Sequence, residues 1–302
     1  MSTTTTKADR RRWRDPALGP ARTLELSGGR RLVYHDVGSG PAIVFVHGFL
    51  VNANLWRKVV ARLAPRHRCV TLDLPLGAHN LPLAPGTPND PPALAELIAE
   101  ALEALDIEGA TVVGNDTGGA LCQMLVTTRP ERVGRLVLTS CDFRDDFPPK
   151  LFRYLELIAR VAPLMGLMLQ SMRSRVVRHS PLAFGWLTNE PIDRPAEDSY
   201  VYPAIEDRAV RDDARRLILG LDRDQTRRAA ALLHTFEGPA LIAWSAEDRV
   251  FPVAHAHELA AALPNSRLEL IAGARTFSME DDAVRLAELI ESFVGEPAAA
   301  AP

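Results

Sequence analysis

The stretch Val112-Val113-Gly114-Asn115-Asp116-Thr117-Gly118-Gly119-Ala120 joins an apolar, β-branched run to a run with the composition of a helix. Gly114 and Gly118 stand two positions to either side of Asp116, and they lack the Cβ atoms that would clash in a tight strand-to-helix turn. A turn of this kind pushes its central side chain out at the top of a sheet. We therefore interpret Asp116 as a reactive residue on a strained turn.

Length and composition bound the possibilities. A chain of 302 residues is long enough for one large α/β domain with an inserted subdomain. The net charge of -3 does not indicate the basic surface that would bind nucleic acid or an anionic membrane, so we expect neither as a partner. The histidines and cysteines lack metal-ligand spacing and no glycine-rich loop suits a nucleotide, so we expect no metal and no cofactor. A homodimer remains possible.

The three cysteines, Cys69, Cys122 and Cys141, each lie inside an apolar run. An odd number of cysteines in such positions favours buried free thiols over a disulfide framework. The expected location is therefore a reducing cytoplasm.

Strand and helix patterns alternate along the chain. Two alternating strands, over residues 22–26 and 31–37, are separated by Gly28-Gly29, which predicts a hairpin. Residues 42–46 form a continuous apolar run, which is typical of a strand buried on both faces of a parallel sheet. The repeated alternation predicts an α/β fold with a doubly wound, mostly parallel sheet whose ligands bind at the carboxyl ends of the strands.

The alternation of strand and helix patterns stops between residues 143 and 228. This segment has no strand pattern and consists of helical patterns rich in Met and Arg. This pattern predicts a helical cap inserted into a core made of residues 21–142 and 229–295. The polar start of the chain, residues 1–20, and the Ala/Pro-rich end, residues 296–302, are predicted to be disordered tails.

Four motifs occur in order along the core: His47-Gly48-Phe49, Asp73-Leu74-Pro75, Gly114 to Gly118, and Trp244-Ser245-Ala246-Glu247-Asp248 after the cap. With these motifs the chain resembles the α/β-hydrolase superfamily, and in particular its aspartate-nucleophile branch, which includes haloalkane dehalogenases and epoxide hydrolases. The resemblance implies that Asp116 is the carboxylate that attacks an electrophilic carbon and forms an ester.

The resemblance also implies the roles of the surrounding residues. Backbone N–H groups of Phe49 and Thr117 would form an oxyanion hole, and Asp248 would orient the catalytic histidine. That histidine is missing, because Thr276 stands at its position in the turn after the last strand. Threonine cannot take a proton from water near neutral pH, so an ester on Asp116 is expected to form but to hydrolyse slowly. Asp248 is then free to pair with Arg275 instead.

The chain differs from the family motifs at further positions, and these differences argue against each of the named activities. Haloalkane dehalogenases place tryptophan after the nucleophile and fluoroacetate dehalogenases place arginine there, whereas this chain has Thr117, so we expect negligible dehalogenation. Epoxide hydrolases use cap tyrosines, and Tyr154, Tyr200 and Tyr202 lie in the cap region. We take Tyr154 together with His47 and Trp186 as candidate substrate-binding residues, although His47 also suits a structural turn. His79 is either a replacement base or, more simply, a solvated loop residue.

Three functions fit these observations. The first is an enzyme that acts on a small, largely apolar molecule between cap and core, with Asp116 as nucleophile or acid/base. The second is a non-hydrolytic lyase, isomerase or cyclase, in which Asp116 transfers protons alone. The third is a ligand-binding protein without turnover.

Overall fold

The computed structural model describes residues 7–296. Within them, eight strands form a single sheet in the order β1-β2-β4-β3-β5-β6-β7-β8. β1 and β2 pair antiparallel, β2 also pairs antiparallel with β4, and all the remaining neighbours are parallel. The strands are β1 (Arg22–Glu25), β2 (Arg31–Val37), β3 (Ala42–Val46), β4 (Arg68–Asp73), β5 (Ala110–Asp116), β6 (Val133–Cys141), β7 (Ala240–Ser245) and β8 (Ser266–Ile271). The predicted fold class is confirmed.

Helices cover both faces of this sheet and form the segment between β6 and β7. Those outside that segment are α1 (Lys7–Arg12), α2 (Arg57–Leu63), α3 (Pro91–Ala104), α4 (Thr117–Thr128), α11 (Val253–Ala262), α12 (Ser278–Asp281) and α13 (Ala283–Gly295). Those inside it are α5 (Tyr154–Arg160), α6 (Ala162–Ser171), α7 (Arg175–Arg178), α8 (Arg194–Glu206), α9 (Arg208–Gly220) and α10 (Arg223–Leu232). None of the helices in residues 7–296 is long and apolar enough to cross a membrane.

The centre of the sheet is built from the apolar runs that the sequence indicates. Ile43, Val44, Phe45 and Val46 of β3 are fully buried, as are Val112 and Val113 of the neighbouring strand β5. Burial on both faces is the condition under which a parallel strand is apolar throughout. The strand ends are therefore fixed with little freedom, and the loops that follow them carry the polar residues.

The segment between β6 and β7 contains helices and turns but no paired strand. We call α5 to α9 the cap. The last helix of the segment, α10, packs against α4 of the core, with Ala229 contributing to that contact. The predicted cap boundary at residue 228 falls within α10, whose buried side faces the core.

Residues 7–20 differ from the predicted disordered tail. α1 packs against α8 of the cap, and Leu18 is completely buried. Two arginines of this segment find partners elsewhere: Arg14 forms a buried ion pair with Asp73, and Arg11 pairs with Asp207. The segment is ordered because its charges are neutralised by carboxylates far away in sequence, which local composition does not reveal. Residues 1–6 and 297–302 lie outside the described residues.

Buried polar contacts join the cap to the core. The Arg57 guanidinium on α2 bonds to Glu280 and also to Asp193 at the start of α8. His79, in the loop after β4, is bonded through Nε2 to Asp213 Oδ2 of α9 at 3.0 Å. His79 is buried rather than solvated, contrary to the expectation for a loop residue.

Candidate active site

Asp116 occupies a strained turn between β5 and α4, with φ 53° and ψ -133°. A positive φ costs a non-glycine residue of order 1–3 kcal/mol, and such strain concentrates at functional sites. The turn depends on close approach of neighbouring backbone. A Cβ atom on Gly48 would lie 2.3 Å from Asp116 Oδ2, and one on Gly118 would lie 2.4 Å from the Val46 carbonyl oxygen. Glycine is therefore required at both positions.

The Asp116 carboxyl carries an unusual pKa. Burial raises it from 3.8 to about 7, and the negative charge of Asp248 acts in the same direction. The backbone N–H groups of Thr117 and Phe49, together with the Thr117 hydroxyl, oppose this rise as hydrogen-bond donors to the carboxylate. The two N–H groups predicted to form an oxyanion hole thus bear on the Asp116 carboxyl itself. Near neutral pH the group is divided between its acid and its carboxylate form.

Thr276 and Asp248 lie together at the adjacent strand ends. The Thr276 hydroxyl donates to Asp248 Oδ1 at 2.9 Å, and the same oxygen accepts the backbone N–H groups of Val250 and Phe251. Asp248 Oδ2 is buried and has no hydrogen-bond partner among the described residues. Burial is the main cause that raises the pKa of Asp248 above its ordinary value. Thr276 therefore fills the position next to the acid with a donor that is not a base at neutral pH.

Asn115 fixes the position of Thr276 relative to Asp116. Its side-chain amide, which is fully buried, donates to the Thr276 carbonyl oxygen at 2.9 Å and to the Ser140 carbonyl oxygen at 3.0 Å. Asn115, which directly precedes Asp116 in the chain, thus links the ends of β5 and β6 to the turn after β8. The relative placement of Asp116 and Thr276 is held by the core of the protein rather than by a surface loop.

Asp142 is a buried carboxyl that the sequence analysis did not single out. It follows β6, is 1% exposed, and its backbone N–H donates to the Asp116 carbonyl oxygen. Burial first, and then the charge of Asp116, raise the pKa of Asp142 well above its ordinary value, and neither of its carboxyl oxygens has a hydrogen-bond partner among the described residues. The usable signal was its position directly after a buried strand that neighbours β5, since the ends of parallel strands meet at one edge.

A cavity of about 390 Å³ lies above Asp116, between the core and the cap. Apolar side chains dominate its wall, and Asp116 and Tyr154 are the ionisable residues among those that line it. The Tyr154 hydroxyl donates to the Leu182 carbonyl oxygen at 2.7 Å. Asp116 at the floor is therefore the one carboxyl that meets a molecule in this cavity.

Of the three candidate substrate-binding residues, Tyr154 lines the cavity, whereas His47 and Trp186 are not among the described residues that line it. His47 is fully buried beneath it, with Nδ1 bonded to the Gly48 carbonyl oxygen and Nε2 accepting the Leu74 N–H. Burial lowers the pKa of His47 to about 4, so it is a neutral structural residue. Trp186 packs instead beneath the Arg249 guanidinium, 5.9 Å from the ring centroid. Neither residue contacts the cavity.

The predicted ion pair between Asp248 and Arg275 is not seen among the described residues. The Arg275 guanidinium donates to the Gly185 and Thr188 carbonyl oxygens, and thereby ties the turn after β8 to the cap. Among the described residues, Asp248 instead accepts the Thr276 hydroxyl and the N–H groups of Val250 and Phe251. Within residues 7–296 no cluster of three or more His, Cys, Asp or Glu side chains is arranged to hold a metal ion.

Comparison with known proteins places this geometry in a family. A model of the alpha/beta hydrolase fold family matches residues 41–283. An uncharacterized protein of Mycobacterium tuberculosis is 29% identical over 289 residues, which cover 89% of this chain and 80% of the relative. An uncharacterized hydrolase of Bacillus subtilis is 27% identical and is covered over 99% of its length, against 92% of this chain.

Solved structures agree on the fold. An alpha/beta hydrolase fold protein from Burkholderia ambifaria superposes with a TM-score of 0.76 at 21% identity, covering 91% of this chain and 97% of that one. The family match spans both core segments and the cap between them. The chain belongs to the α/β-hydrolase fold family of hydrolase-like enzymes.

Proposed function

We propose that this protein acts on a small, largely apolar molecule bound between cap and core, with the Asp116 carboxylate as its nucleophile. The observation that carries the proposal is the position of Asp116 on a strained turn at the floor of an apolar cavity. The backbone N–H groups of Phe49 and Thr117 favour its carboxylate form. Donors that stabilise the carboxylate also suit the oxygen of an ester formed on it, because charge returns to that oxygen when the ester is attacked. The aspartate-nucleophile branch is thus the part of the family that fits best.

The site contains the groups needed to form an ester on Asp116, but it lacks the base needed to hydrolyse that ester. The ionised Asp116 attacks an electrophilic carbon, a bond from that carbon to its leaving group breaks, and an ester remains. Hydrolysis of the ester needs a base to take a proton from water. Thr276 offers only a hydroxyl, which already donates to Asp248. We therefore expect an ester with a long lifetime.

A second candidate is proton transfer by Asp116 without a covalent intermediate, as in a lyase or an isomerase. The observation that favours it is the pKa of Asp116, which burial raises to about 7. A general acid or base is most effective when its pKa lies near the working pH. This route needs no water and no histidine.

Intact-protein mass spectrometry separates these routes. Wild type is incubated with a panel of epoxides, beside Asp116→Asn and a matched control, Asp145→Asn, which changes a carboxyl that is 62% exposed. A stoichiometric mass increase that maps to Asp116, persists in Asp145→Asn and disappears in Asp116→Asn supports the nucleophile. Turnover without an adduct that is lost in Asp116→Asn supports proton transfer. A bound metabolite in native spectra, with neither adduct nor turnover, would overturn both and leave a binding protein.

A further inference from the structure

The outward side of α5, α6 and α7 differs in charge from the rest of the protein. From Leu157 to Asn189 the chain contains no Asp and no Glu, whereas it contains four arginines: Arg160, Arg173, Arg175 and Arg178. The whole chain has a net charge of -3, so this local excess of positive charge is hidden in the overall balance. Three of these arginines, Arg160, Arg173 and Arg175, are exposed, whereas Arg178 is buried inside the cap.

The same segment exposes large apolar side chains. Six of the ten large hydrophobic residues exposed in the described part of the chain fall between residues 157 and 182. They are Leu157 (64%), Val161 (46%), Leu164 (47%), Leu167 (68%), Val176 (82%) and Leu182 (57%). We call these six residues, together with the exposed Arg160, Arg173 and Arg175, the outer cap face. Exposed apolar side chains that recur together with arginines over one short segment are typical of an interaction surface.

Helix α6 has one exposed side and one buried side. Leu164 and Leu167 are exposed, whereas Met165 and Leu169 on the opposite side are fully buried. Ser171, one turn beyond Leu167, is exposed and also lines the cavity above Asp116. The exposed apolar residues are therefore not a by-product of poor packing, because the helix already buries a complete inner side.

One residue of the outer cap face also lines the cavity. Leu182 is 57% exposed and lines the cavity as well, and its carbonyl oxygen is held by the Tyr154 hydroxyl at the start of α5. Met168 and Val177, which alternate with outer residues on α6 and α7, also line the cavity. A molecule that leaves an apolar phase in contact with the outer cap face would thus enter the cavity without crossing water.

The exposed arginines indicate which kind of partner binds the outer cap face. Glu197 and Asp198 of α8 are buried in ion pairs with Arg178, so they do not neutralise the exposed arginines in full. Arg175 approaches Glu197 at 3.4 Å and is itself 46% exposed. A second copy of this chain would bring like charges together, whereas anionic headgroups would pair with them and the leucines would enter the acyl boundary. We propose that the outer cap face docks on the surface of an anionic lipid bilayer.

Vesicle cosedimentation tests the proposal without any assay of catalysis, so its failure is independent of the chemistry at Asp116. Wild type is mixed with vesicles of phosphatidylcholine alone, or with one quarter phosphatidylglycerol, at low and high salt. We expect binding to the anionic vesicles only, and weaker binding at high salt because screening shortens the reach of the arginines. Removing an exposed arginine, as in Arg173→Gln, should weaken binding about fivefold.

Matched double variants isolate the apolar part. Leu167→Asp with Val176→Asp alters the outer cap face, whereas Leu232→Asp with Val284→Asp alters residues that are 46% and 45% exposed elsewhere. We expect at least a tenfold loss of binding for the first pair and less than a twofold loss for the second. Wild type that binds no vesicle, or two pairs that lose binding equally, would overturn the proposal. So would a wild-type dimer in light scattering that the first pair alone dissociates, since the face would then hold a second copy.

Discussion

The Thr276 hydroxyl donates to Asp248 Oδ1 at 2.9 Å, while Oδ2 of the same carboxyl is buried without a partner in the described structure. In the family that the chain resembles, a histidine stands between this acid and the nucleophile. We propose that Thr276 stands at the position of that histidine, so that a short hydroxyl replaces the group that would move protons between Asp248 and Asp116. Under the proposed function the site would then form an ester on Asp116 but hydrolyse it slowly.

Restoring the imidazole is the direct test of this interpretation. In Thr276→His the new ring stands next to Asp248, which keeps its acceptor Oδ1 fixed through Val250 and Phe251. A general base typically contributes about 10²–10⁴-fold, so the adduct on Asp116 should disappear at least tenfold faster than in wild type. The lifetime is measured by intact mass after the excess electrophile has been removed.

The control for that experiment is Thr276→Val, which has a similar shape but no hydroxyl. It should leave the adduct as long-lived as in wild type, because neither residue is a base. Arg275 should not be changed at the same time, since its guanidinium holds the Gly185 and Thr188 carbonyl oxygens of the cap. An adduct that persists equally in a correctly folded Thr276→His would show that a missing base does not limit its release.

The rate of adduct formation should depend on pH through Asp116. Only the carboxylate attacks carbon, and burial raises the pKa of Asp116 to about 7. We expect the rate to rise about tenfold for each pH unit below 7 and to level off above it. Asp248→Asn should lower the midpoint, because the charge of Asp248 raises the pKa of Asp116, whereas Glu247→Gln beside it should not. A rate that is flat between pH 5 and pH 8 would contradict this.

Local patterns were sufficient for the parts of the site that lie on strands and motifs. The fold class and the strained turn at Asp116 follow from apolar runs and glycine spacing, and the proximity of Thr276 to Asp248 follows from where β7 and β8 end. These features depend on residues close in sequence or on the common edge of a parallel sheet, which the pattern alone defines.

The features that were missed depend on partners far away in the chain. His79 was expected in solvent, yet its partner Asp213 is 134 residues later. Arg14 was assigned to a disordered tail, yet it pairs with Asp73 in the core. Side-chain pairing over such separations leaves no periodic signal. Asp142 was missed for another reason, since it belongs to no motif and only its burial beside Asp116 makes it notable.

Asp116 should also govern the pH dependence of stability. A carboxyl with a pKa raised from 3.8 to about 7 is ionised more easily in the unfolded chain, so its contribution to the free energy of unfolding falls as pH rises from about 4 to 7. Asp116→Asn removes this loss and should be more stable than wild type by up to about 4 kcal/mol at pH 8. The two proteins should converge near pH 4. Urea unfolding at both pH values measures the difference.

The same experiment includes Asp145→Asn, which should match wild type at both pH values because that carboxyl is 62% exposed and loosely paired with Arg227. A difference between Asp116→Asn and wild type that is the same at pH 4 and pH 8 would show that the effect comes from shape or strain. The pKa of Asp116 would then not be the cause.

The contact between His79 and Asp213 should hold the cap on the core. Asp213 accepts hydrogen bonds from His79, from the Leu83 N–H at 2.9 Å and from Arg216, and its side chain is 4% exposed. Although burial alone acts to raise the pKa of Asp213, these donors lower it below its ordinary value. A lowered pKa means that the contact stabilises the fold above the unfolded-state pKa and loses that contribution as the pH falls through the folded-state pKa.

Asp213→Ala removes this acceptor and leaves buried donors unpaired, so we expect a loss of about 2–4 kcal/mol in the free energy of unfolding at pH 7. The neighbouring Asp212→Ala is the matched control, because Asp212 is 51% exposed and pairs only with the exposed Arg208; its cost should stay below about 0.5 kcal/mol. Limited trypsin digestion should cleave Asp213→Ala within the cap while the core remains intact, and should leave Asp212→Ala as resistant as wild type. If cleavage in Asp213→Ala begins equally in core and cap, the pair stabilises the whole domain, and the cap has no separate attachment at His79.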